Sequence, residues 1–358
     1  MNVVGIMNGT SIDGVDFVLC SASDKSFRFR ASSSVKFPPL LRKRLVQAAE
    51  NKMSIGDLAI LHNDLGSFYA KTLQAIKTKK KWKFHLVGMH GQTVFHDSGR
   101  ASLQIGEPSY VQQKLNVPVV SDFRSADIAA GGEGAPLACI FHRHLKELFQ
   151  LNHIAFHNLG GISNLTYFYS AKEISFDTGP ANLLMDLYCQ KYLKKAFDRN
   201  GQVASKGLQD AKLIQQMMRH PYFKKKAPKT CGREEFGESF FKKYERSLKA
   251  LGHANALATL SHFTAFSIAK AYKDLLPKLP DEILFSGGGA KNQYLLDAVA
   301  YYLPEVEIST TKEISWEPQH IEAAAFAYLA YACYQGKAVD SRNFTGAKNK
   351  VVLGKITK

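Results

Sequence analysis

Cysteine is scarce in this chain. Its five residues, Cys20, Cys139, Cys189, Cys231 and Cys333, are odd in number and widely scattered. No two stand at a metal-ligand spacing, which excludes a disulfide framework or a cysteine zinc site and leads us to expect reduced thiols in a cytoplasmic protein. Long apolar runs are also missing, because lysine or histidine interrupts each one well short of membrane-spanning length. No charged, then apolar, then cleavable leader precedes the first strand-like run, so a secretory reading is not expected. Neither a GxGxxG opening a helix nor a GxxxxGK[ST] element occurs, which disfavours Rossmann and P-loop folds.

What is plentiful is positive charge. Against 31 Asp and Glu stand 47 Lys and Arg, a formal net charge of +16. Much of it sits in short runs at 77–83, 224–226 and 242–243. No helix-turn-helix, zinc finger or spaced aromatic–basic pattern accompanies these runs. We therefore read them as solubility and attraction of anionic substrates, with no specific nucleic-acid partner and no membrane partner. With 358 residues, 45% of them hydrophobic, the chain has room for two domains with sizeable cores.

Hydrophobic periodicity gives the order of elements. Two apolar runs, 3–7 and 15–19, flank a turn of glycines, hydroxyls and carboxylates. Strand-like 27–30 follows, then Pro38-Pro39 opening a helix to 50 and a longer helix over 54–78. Strands are expected at 85–88 and 117–120, with a helix over 107–115 between them. The polar, glycine-rich 121–134 reads as a crossover between domains. A second strand–turn–strand, 153–157, 158–164 and 165–169, repeats the logic of the first. Helices are expected near 183–196, 208–219, 235–249 and 255–273. A strand at 282–285 runs into Ser286-Gly287-Gly288-Gly289-Ala290, and an Ala-rich helix covers 321–334.

Several segments offer chemistry. In the first turn, Gly9, Thr10, Ser11 and Gly14 can point N–H and O–H groups at an anion. Asp13 would face Mg²⁺ there, directly or through water. An ordinary hairpin turn and a nucleotide-phosphate loop are both open readings. Asn158, Gly160, Gly161 and Asn164 offer a second such loop. Gly287, Gly288 and Gly289 form either a tight turn or a surface for a base or ribose. Asp177, delivered by Ile174 and Phe176 to a loop at a sheet edge, is a candidate general base or a turn aspartate, and Asn182 is placed to cap the following helix. Between 88 and 136 stand His90, Gln92, Thr93, Gln104, Glu107, Arg124 and Asp127, donors and acceptors that suit a sugar, with Arg124 able to pair with an anionic substituent. Neutral readings exist for each: His90 packed beneath its strand, or Arg124 tied to Asp122 or Asp127. His90, His96 and Asp97 complete no zinc pattern.

These motifs together resemble the anhydro-N-acetylmuramic acid kinases. The resemblance runs through 9–16, 91–96, 103–108, 122–137, 158–164, 176–182, 232–234 and 287–290, nearly the whole chain in family order. It implies an α/β, two-domain sugar kinase/Hsp70/actin-like (ASKHA) fold with a nucleotide cleft between the lobes. The expected division is 1–127 with 318–358 as one lobe, completed by the C-terminal helix. Residues 128–317 form the other, with the second phosphate loop and an adenosine-binding Gly-Gly-Gly junction.

The implied activity is a cytoplasmic, ATP- and Mg²⁺-dependent, homodimeric kinase of cell-wall (peptidoglycan) recycling. It opens the 1,6-anhydro ring of anhydro-N-acetylmuramic acid with water and phosphorylates O6, giving N-acetylmuramic acid 6-phosphate and ADP. Carried over, Asp177 is the base that activates water. Gly9, Thr10, Ser11, Asp13, Gly14, Asp16, Asn158, Gly160, Gly161, Asn164 and Gly287 to Gly289 hold the nucleotide. His90, Gln92, Thr93, Gln104, Glu107, Arg124, Asp127 and Glu322 hold the sugar. The chain departs from the family at Asn8, usually serine, at Ala181, usually glycine, at Cys231, usually threonine, and in the 318–322 stretch. Ala181 matters most if its φ is positive, where a β-carbon costs about 1 kcal/mol. Two other functions stand beside this one. The first is a levoglucosan or other 1,6-anhydrosugar kinase, against which Arg124 and the positive charge favour a sugar with a carboxylate. The second is a non-catalytic nucleotide-gated interaction module, against which Asp177 and the sugar-contact segments argue.

Overall fold

A computed structural model describes residues 1–9 and 12–358, so Thr10 and Ser11 lie outside the described residues. The chain divides into two units, Met1–Phe149 with His320–Lys358, and Gln150–Gln319. The first unit opens with β1 (Asn2–Met7), β2 (Gly14–Ser23), β3 (Ser26–Lys36), α1 (Pro39–Ala49), α2 (Ile55–Lys80), β4 (Leu86–Met89) and β5 (Gln92–Asp97). It continues through β6 (Ala101–Ile105), α3 (Pro108–Leu115), β7 (Val119–Ser121), α4 (Phe123–Ala129) and α5 (Ala138–Leu148). The second unit holds β8 (Ile154–Leu159), β9 (Ile162–Tyr169), β10 (Lys172–Pro180), α6 (Leu183–Tyr188), α7 (Ala211–Met217) and α8 (Arg233–Phe236). There follow α9 (Glu238–Ala250), α10 (His253–Leu275), β11 (Glu282–Ser286), α11 (Gln293–Tyr302) and β12 (Glu307–Thr310). The chain then returns to the first unit as α12 (Ile321–Tyr334), α13 (Arg342–Thr345) and β13 (Lys355–Thr357).

Local signals explain the long helices. Pro39 fills the first turn of α1, where its missing N–H costs nothing. Ser54 caps α2 by accepting from Asp57 N, and Lys77, Lys79 and Lys80 crowd the last turn before left-handed Lys81. Other helices are shorter than periodicity suggested. The expected 183–196 helix is α-helical over Leu183–Tyr188 and continues as a π-helix over Cys189–Leu193. Only Ala211–Met217 of the expected 208–219 is α-helical.

Both units share one strand pattern. The first sheet runs β13-β7-β4-β1-β2-β3, the second β10-β9-β8-β11-β12. In each, a leading strand pairs antiparallel with the next strand of a meander and parallel with a later strand. β1 and β8 are the equivalent leading strands, so the repeat read in the two glycine turns is a repeat of topology.

The domain boundary and the crossover need correction. Residues 128–149 belong to the first unit, and the chain leaves it after Phe149 rather than after 127. The reason is packing and hydrogen bonding: α5 lies on α12. Asp127, fully buried, accepts from Gly134 N (2.8 Å), Ser341 Oγ (2.5 Å) and Thr345 Oγ1 (2.8 Å). The segment 121–134 is thus a folded corner containing α4, and its glycines serve tight local contacts instead of a linker.

The core of the first unit gathers Ile6, Phe17 and Val87 of the sheet against Leu61, Leu65, Tyr69 and Leu73 of α2. Against the strands β1 and β4 lies α12, whose Ala323, Ala324, Ala327 and Ala330 are buried. Gly5 and Gly88 are register partners on those strands. A Cβ at Gly5 would stand 1.8 Å from Ala323 O, and one at Gly88 2.3 Å from Phe326 O. Small residues on both sides let the helix backbone touch the sheet backbone. In the second unit α10 runs through the core, packed with Tyr222, Phe223, Phe236, Phe240 and Phe263.

This close approach yields a stability prediction. Gly5→Ala should cost about 3 kcal/mol, because neither backbone can yield to the added carbon. Gly56→Ala, at the exposed start of α2 with nothing nearer than Ser54 Oγ at 3.9 Å, should be neutral or slightly stabilising. Thermal unfolding midpoints of the two variants, each against the parent, check the pair.

Candidate active site

In the second unit, strand register assembles a polar row. Ser286 pairs with Asn158, Asn158 with Asn164, and Asn164 with Asp177, across β11, β8, β9 and β10. Directly paired residues share a sheet face, so register brings the candidate base into line with two residues of the second loop. Asp177 lies within β10 and not on a loop, at the point where the β9 register shifts between Asp177 and Gly179. Such a bulge re-aims a side chain at a sheet edge.

Three contacts from the 222–231 segment clamp Asp177. Its N–H donates to Lys229 O (3.0 Å), its carbonyl accepts from Tyr222 OH (2.6 Å), and Oδ2 accepts from Cys231 N (2.9 Å). Burial lifts its pKa to about 7, with the Cys231 N–H opposing, Glu234 adding to the rise and Lys229 opposing. A carboxyl poised near neutrality suits general-base work. Cys231 serves through its main chain, which any residue supplies, and burial pushes its thiol up and keeps it uncharged. Ala181 is fully buried and is not among the positive-φ residues, so no left-handed penalty arises there.

The second loop is held from behind. Gly160 O accepts from Asn182 N (3.1 Å) and Asn182 Nδ2 (2.7 Å), while Gly161 O accepts from Ala181 N (2.9 Å). Asn182 therefore braces the loop and makes no side-chain cap on α6. In a trans peptide C=O and N–H point oppositely, so the Gly161 N–H faces away from this brace. Gly287 has φ 81°, and a Cβ there would meet Asn158 Oδ1 at 2.3 Å. At Gly288 a Cβ would find open space, and Gly289 is tucked against Leu159 and Asn182. Asn158 Oδ1 and Ser286 Oγ are buried without a hydrogen-bond partner among the described residues. Unsatisfied oxygens beside a glycine cradle fit a polar ligand. Ser286 was not among the sequence candidates; only strand pairing brings it into the row.

The first unit carries the remaining candidates. Gly9 O closes the first turn on Ile12 N, and Gly14 starts β2 opposite Lys36. Asp13 is exposed and pairs with Arg42 at 3.2 Å. Asp16 accepts from Ser34 Oγ, its cross-strand neighbour. Asn8 proves to be a structural link that sequence reasoning noticed only as a departure. It is buried, accepts from Tyr69 OH (2.6 Å) and donates to Gln92 Oε1 (2.6 Å). Gln92 is therefore turned inward as Asn8's partner. Thr93 and Gln104 pair across the β5–β6 hairpin, and Gln104 Nε2 donates to Thr93 Oγ1 (3.3 Å) and Ser102 Oγ (2.7 Å).

His90 and Arg124 meet, with Nη2 of Arg124 3.1 Å from His90 Nε2. Burial, then the Arg124 charge, lowers His90 to about 3, opposed by its contact with Gly91 O. Burial lowers Arg124 to about 10, opposed by Glu322, and it stays a cation at neutral pH. Glu322, in the first turn of α12, is raised to about 6 by burial and Asp16, with Arg124 opposing. His90 and Gln104 line a cavity of about 270 Å³ with His62, Ser102, Ser121, Asp122 and Ser125.

Two further sugar candidates, like Gln92, are engaged by the fold. Glu107 caps α3 through Ser109 N (2.9 Å) and contacts His62 Nε2 (3.0 Å). Asp127 spends both oxygens on the corner described above, so it anchors the fold and is not offered to a ligand. Asp127→Ala should accordingly destabilise the protein by about 3 kcal/mol, leaving buried donors unpaired. Denaturation, with limited proteolysis of the 341–358 tail, measures the loss of this anchor.

No group of three or more His, Cys, Asp or Glu gathers for a metal among the described residues. Asp13 offers one exposed carboxylate, paired with Arg42, and a Mg²⁺ held mainly by phosphate and water would need no more from the protein. No helix among the described residues is long and apolar enough to cross a membrane.

Comparison with known proteins places the chain in a family. The family model described as anhydro-N-acetylmuramic acid kinase matches residues 1–358. An anhydro-N-acetylmuramic acid kinase of Pseudomonas syringae pv. syringae is 35% identical over 361 residues, covering 99% of this chain and 98% of the relative. One from Gloeobacter violaceus is 35% identical, covering 99% and 97%, and one from Bacillus cereus 33%, covering 100% and 99%. Likeness to the solved activator of 2-hydroxyisocaproyl-CoA dehydratase from Clostridium difficile is distant, with TM-score 0.48 and 11% identity over 92% of this chain and 94% of that one. Full-length matches above 30% identity settle the classification: the chain belongs to the anhydro-N-acetylmuramic acid kinase family.

Proposed function

We propose that this chain uses ATP to convert 1,6-anhydro-N-acetylmuramic acid into N-acetylmuramic acid 6-phosphate, opening the anhydro bridge with water as it phosphorylates O6. The observation that carries the reading is Asp177. A strand bulge and three hydrogen bonds hold this residue in register with the second loop, and burial lifts its carboxyl to about 7.

In this mechanism ionised Asp177 takes a proton from water, and the water oxygen attacks the anomeric carbon from the face opposite the bridge, as in an inverting glycosidase. The C1–O bond breaks and its electron pair stays on O6, which accepts the γ-phosphoryl group as the bond from γ-phosphorus to the bridging oxygen breaks and ADP leaves with that pair. A bridged sugar has no free 6-hydroxyl, so ring opening and phosphorylation are naturally coupled. Phosphoryl transfer rests on alignment and charge neutralisation. For the nucleotide the reading uses Gly9, Thr10, Ser11, Gly14 and Asp16 of the first loop, Asn158, Gly160, Gly161 and Asn164 of the second, and the 287–289 junction. Mg²⁺, when bound, neutralises phosphate charge beside Asp13. Arg124 is assigned to the lactyl carboxylate, with Gln104, Thr93 and Glu322 as neighbouring sugar contacts. The five cysteines are free thiols, which supports a cytoplasmic setting. A two-lobed nucleotide clamp and a homodimer remain part of the proposal on family resemblance.

Two measurements test it. Turnover in ¹⁸O-water should place label in the anomeric hydroxyl of the product, and an unlabelled product would sink the water attack. Asp177→Asn should reduce turnover by about 10²–10⁴-fold, the usual worth of a general base, while ATP binding survives.

The pH profile follows from the direction of the shift. Asp177 is protonated, and inactive as a base, below its raised pKa. Hence kcat/KM should fall about tenfold per pH unit below about 7 and level off above it. An acid limb unchanged down to the ordinary carboxylate range would remove Asp177 from the role.

A further inference from the structure

We propose that His90 is a positioning residue that holds the Arg124 guanidinium as a receptor for the substrate's carboxylate. It thereby sets a preference for a carboxylated over an uncharged 1,6-anhydrosugar. This rests on the function proposed above, and it moves His90 from sugar contact to support of one.

The argument begins with hydrogen-bond arithmetic. Arginine carries only donors, so the 3.1 Å contact from Nη2 requires His90 Nε2 to present its lone pair. A neutral imidazole then carries its proton on Nδ1, and Nδ1 faces Gly91 O at 2.8 Å. The Gly91 carbonyl thus selects the tautomer that serves Arg124. The ring cannot easily turn away. The backbone N–H of His90 donates to Ile6 O (3.1 Å), extending the β1–β4 pairing, and the imidazole packs against Phe326 with ring centroids 4.4 Å apart. His90 is 4% exposed, and burial keeps it neutral well below physiological pH.

Arg124 has a charge that its surroundings do not neutralise by contact. Its one side-chain partner among the described residues is neutral His90, its Nε is buried without a partner, and no described carboxylate lies in ion-pair contact with it. Glu322 acts on it only through the field. A partly desolvated guanidinium with unused donors favours a bidentate anion. His90 supplies what a carboxylate in its place would spoil: an acceptor that fixes the fork without cancelling its charge.

The test uses the full chain with saturating Mg-ATP and two sugars, anhydro-N-acetylmuramic acid and the same anhydrosugar lacking its lactyl ether. The second is followed as an alternative substrate or a competitive inhibitor. His90→Leu should raise KM for the carboxylated sugar about tenfold with kcat within about twofold, and leave the uncharged sugar's constant within about twofold. His90→Gln, whose Oε1 can accept from Nη2, should return KM to within about threefold of the parent. Should His90→Leu fail to fold, His90→Asn, too short to reach Nη2, takes its place under the same criteria. Equal losses for both sugars, or no loss for either, would overturn the proposal. A parent enzyme that turns over neither sugar would instead refute the underlying function, and the positioning role with it.

Discussion

The backbone of α12 rests directly on β1 and β4, and much of the first unit depends on that contact. Gly5 and Gly88, partners across the two strands, remove the side chains that would hold the helix off. The alanines of α12 do the same from above. Because the helix is so close, its first turn carries Glu322 into the field of Arg124 and Asp16. One turn later Phe326 packs on both His90 and Phe123, the residue before Arg124. A helix at ordinary sheet distance would leave those groups apart.

Burial then decides which groups are charged. It lifts Asp177 to about 7 and Glu322 to about 6, and holds His90 near 3. In each case desolvation is the largest cause, and neighbouring charges modify it. Arg124 stays a cation beside a neutral imidazole, and Asp177 keeps an accessible proton equilibrium beside a single main-chain donor to its carboxylate. Both arrangements leave capacity for a ligand. Asp127 shows the opposite choice, a carboxylate whose oxygens are consumed by the fold.

Much of the element order was legible, because a two-residue or 3.6-residue hydrophobic period survives wherever one face is buried. α2, α10 and α12 extend little beyond their expected bounds. The short β5–β6 hairpin, α4 and β13 escaped, since three- to seven-residue elements show too little period to be read. The pattern misled at 121–134, where glycine and polar residues looked like a linker but fill a buried corner. It also misled at Asn182, where a good capping residue braces the second loop instead.

By itself the sequence determined the family, the two glycine turns and the proposal of Asp177 as the base, because these reside in contiguous residue types whose chemistry is local. Tertiary structure alone decided which side chains remain free. Gln92, Glu107 and Asp127 read as sugar contacts, yet Asn8, the α3 N-terminus and the 341–345 segment engage them. His90 and Arg124 lie 34 positions apart, and only the seating of α12 and the left-handed turn at Gly91 bring them into one hydrogen bond. Partners distant in sequence are chosen by packing, and a residue's protonation state and spare donors follow from that choice.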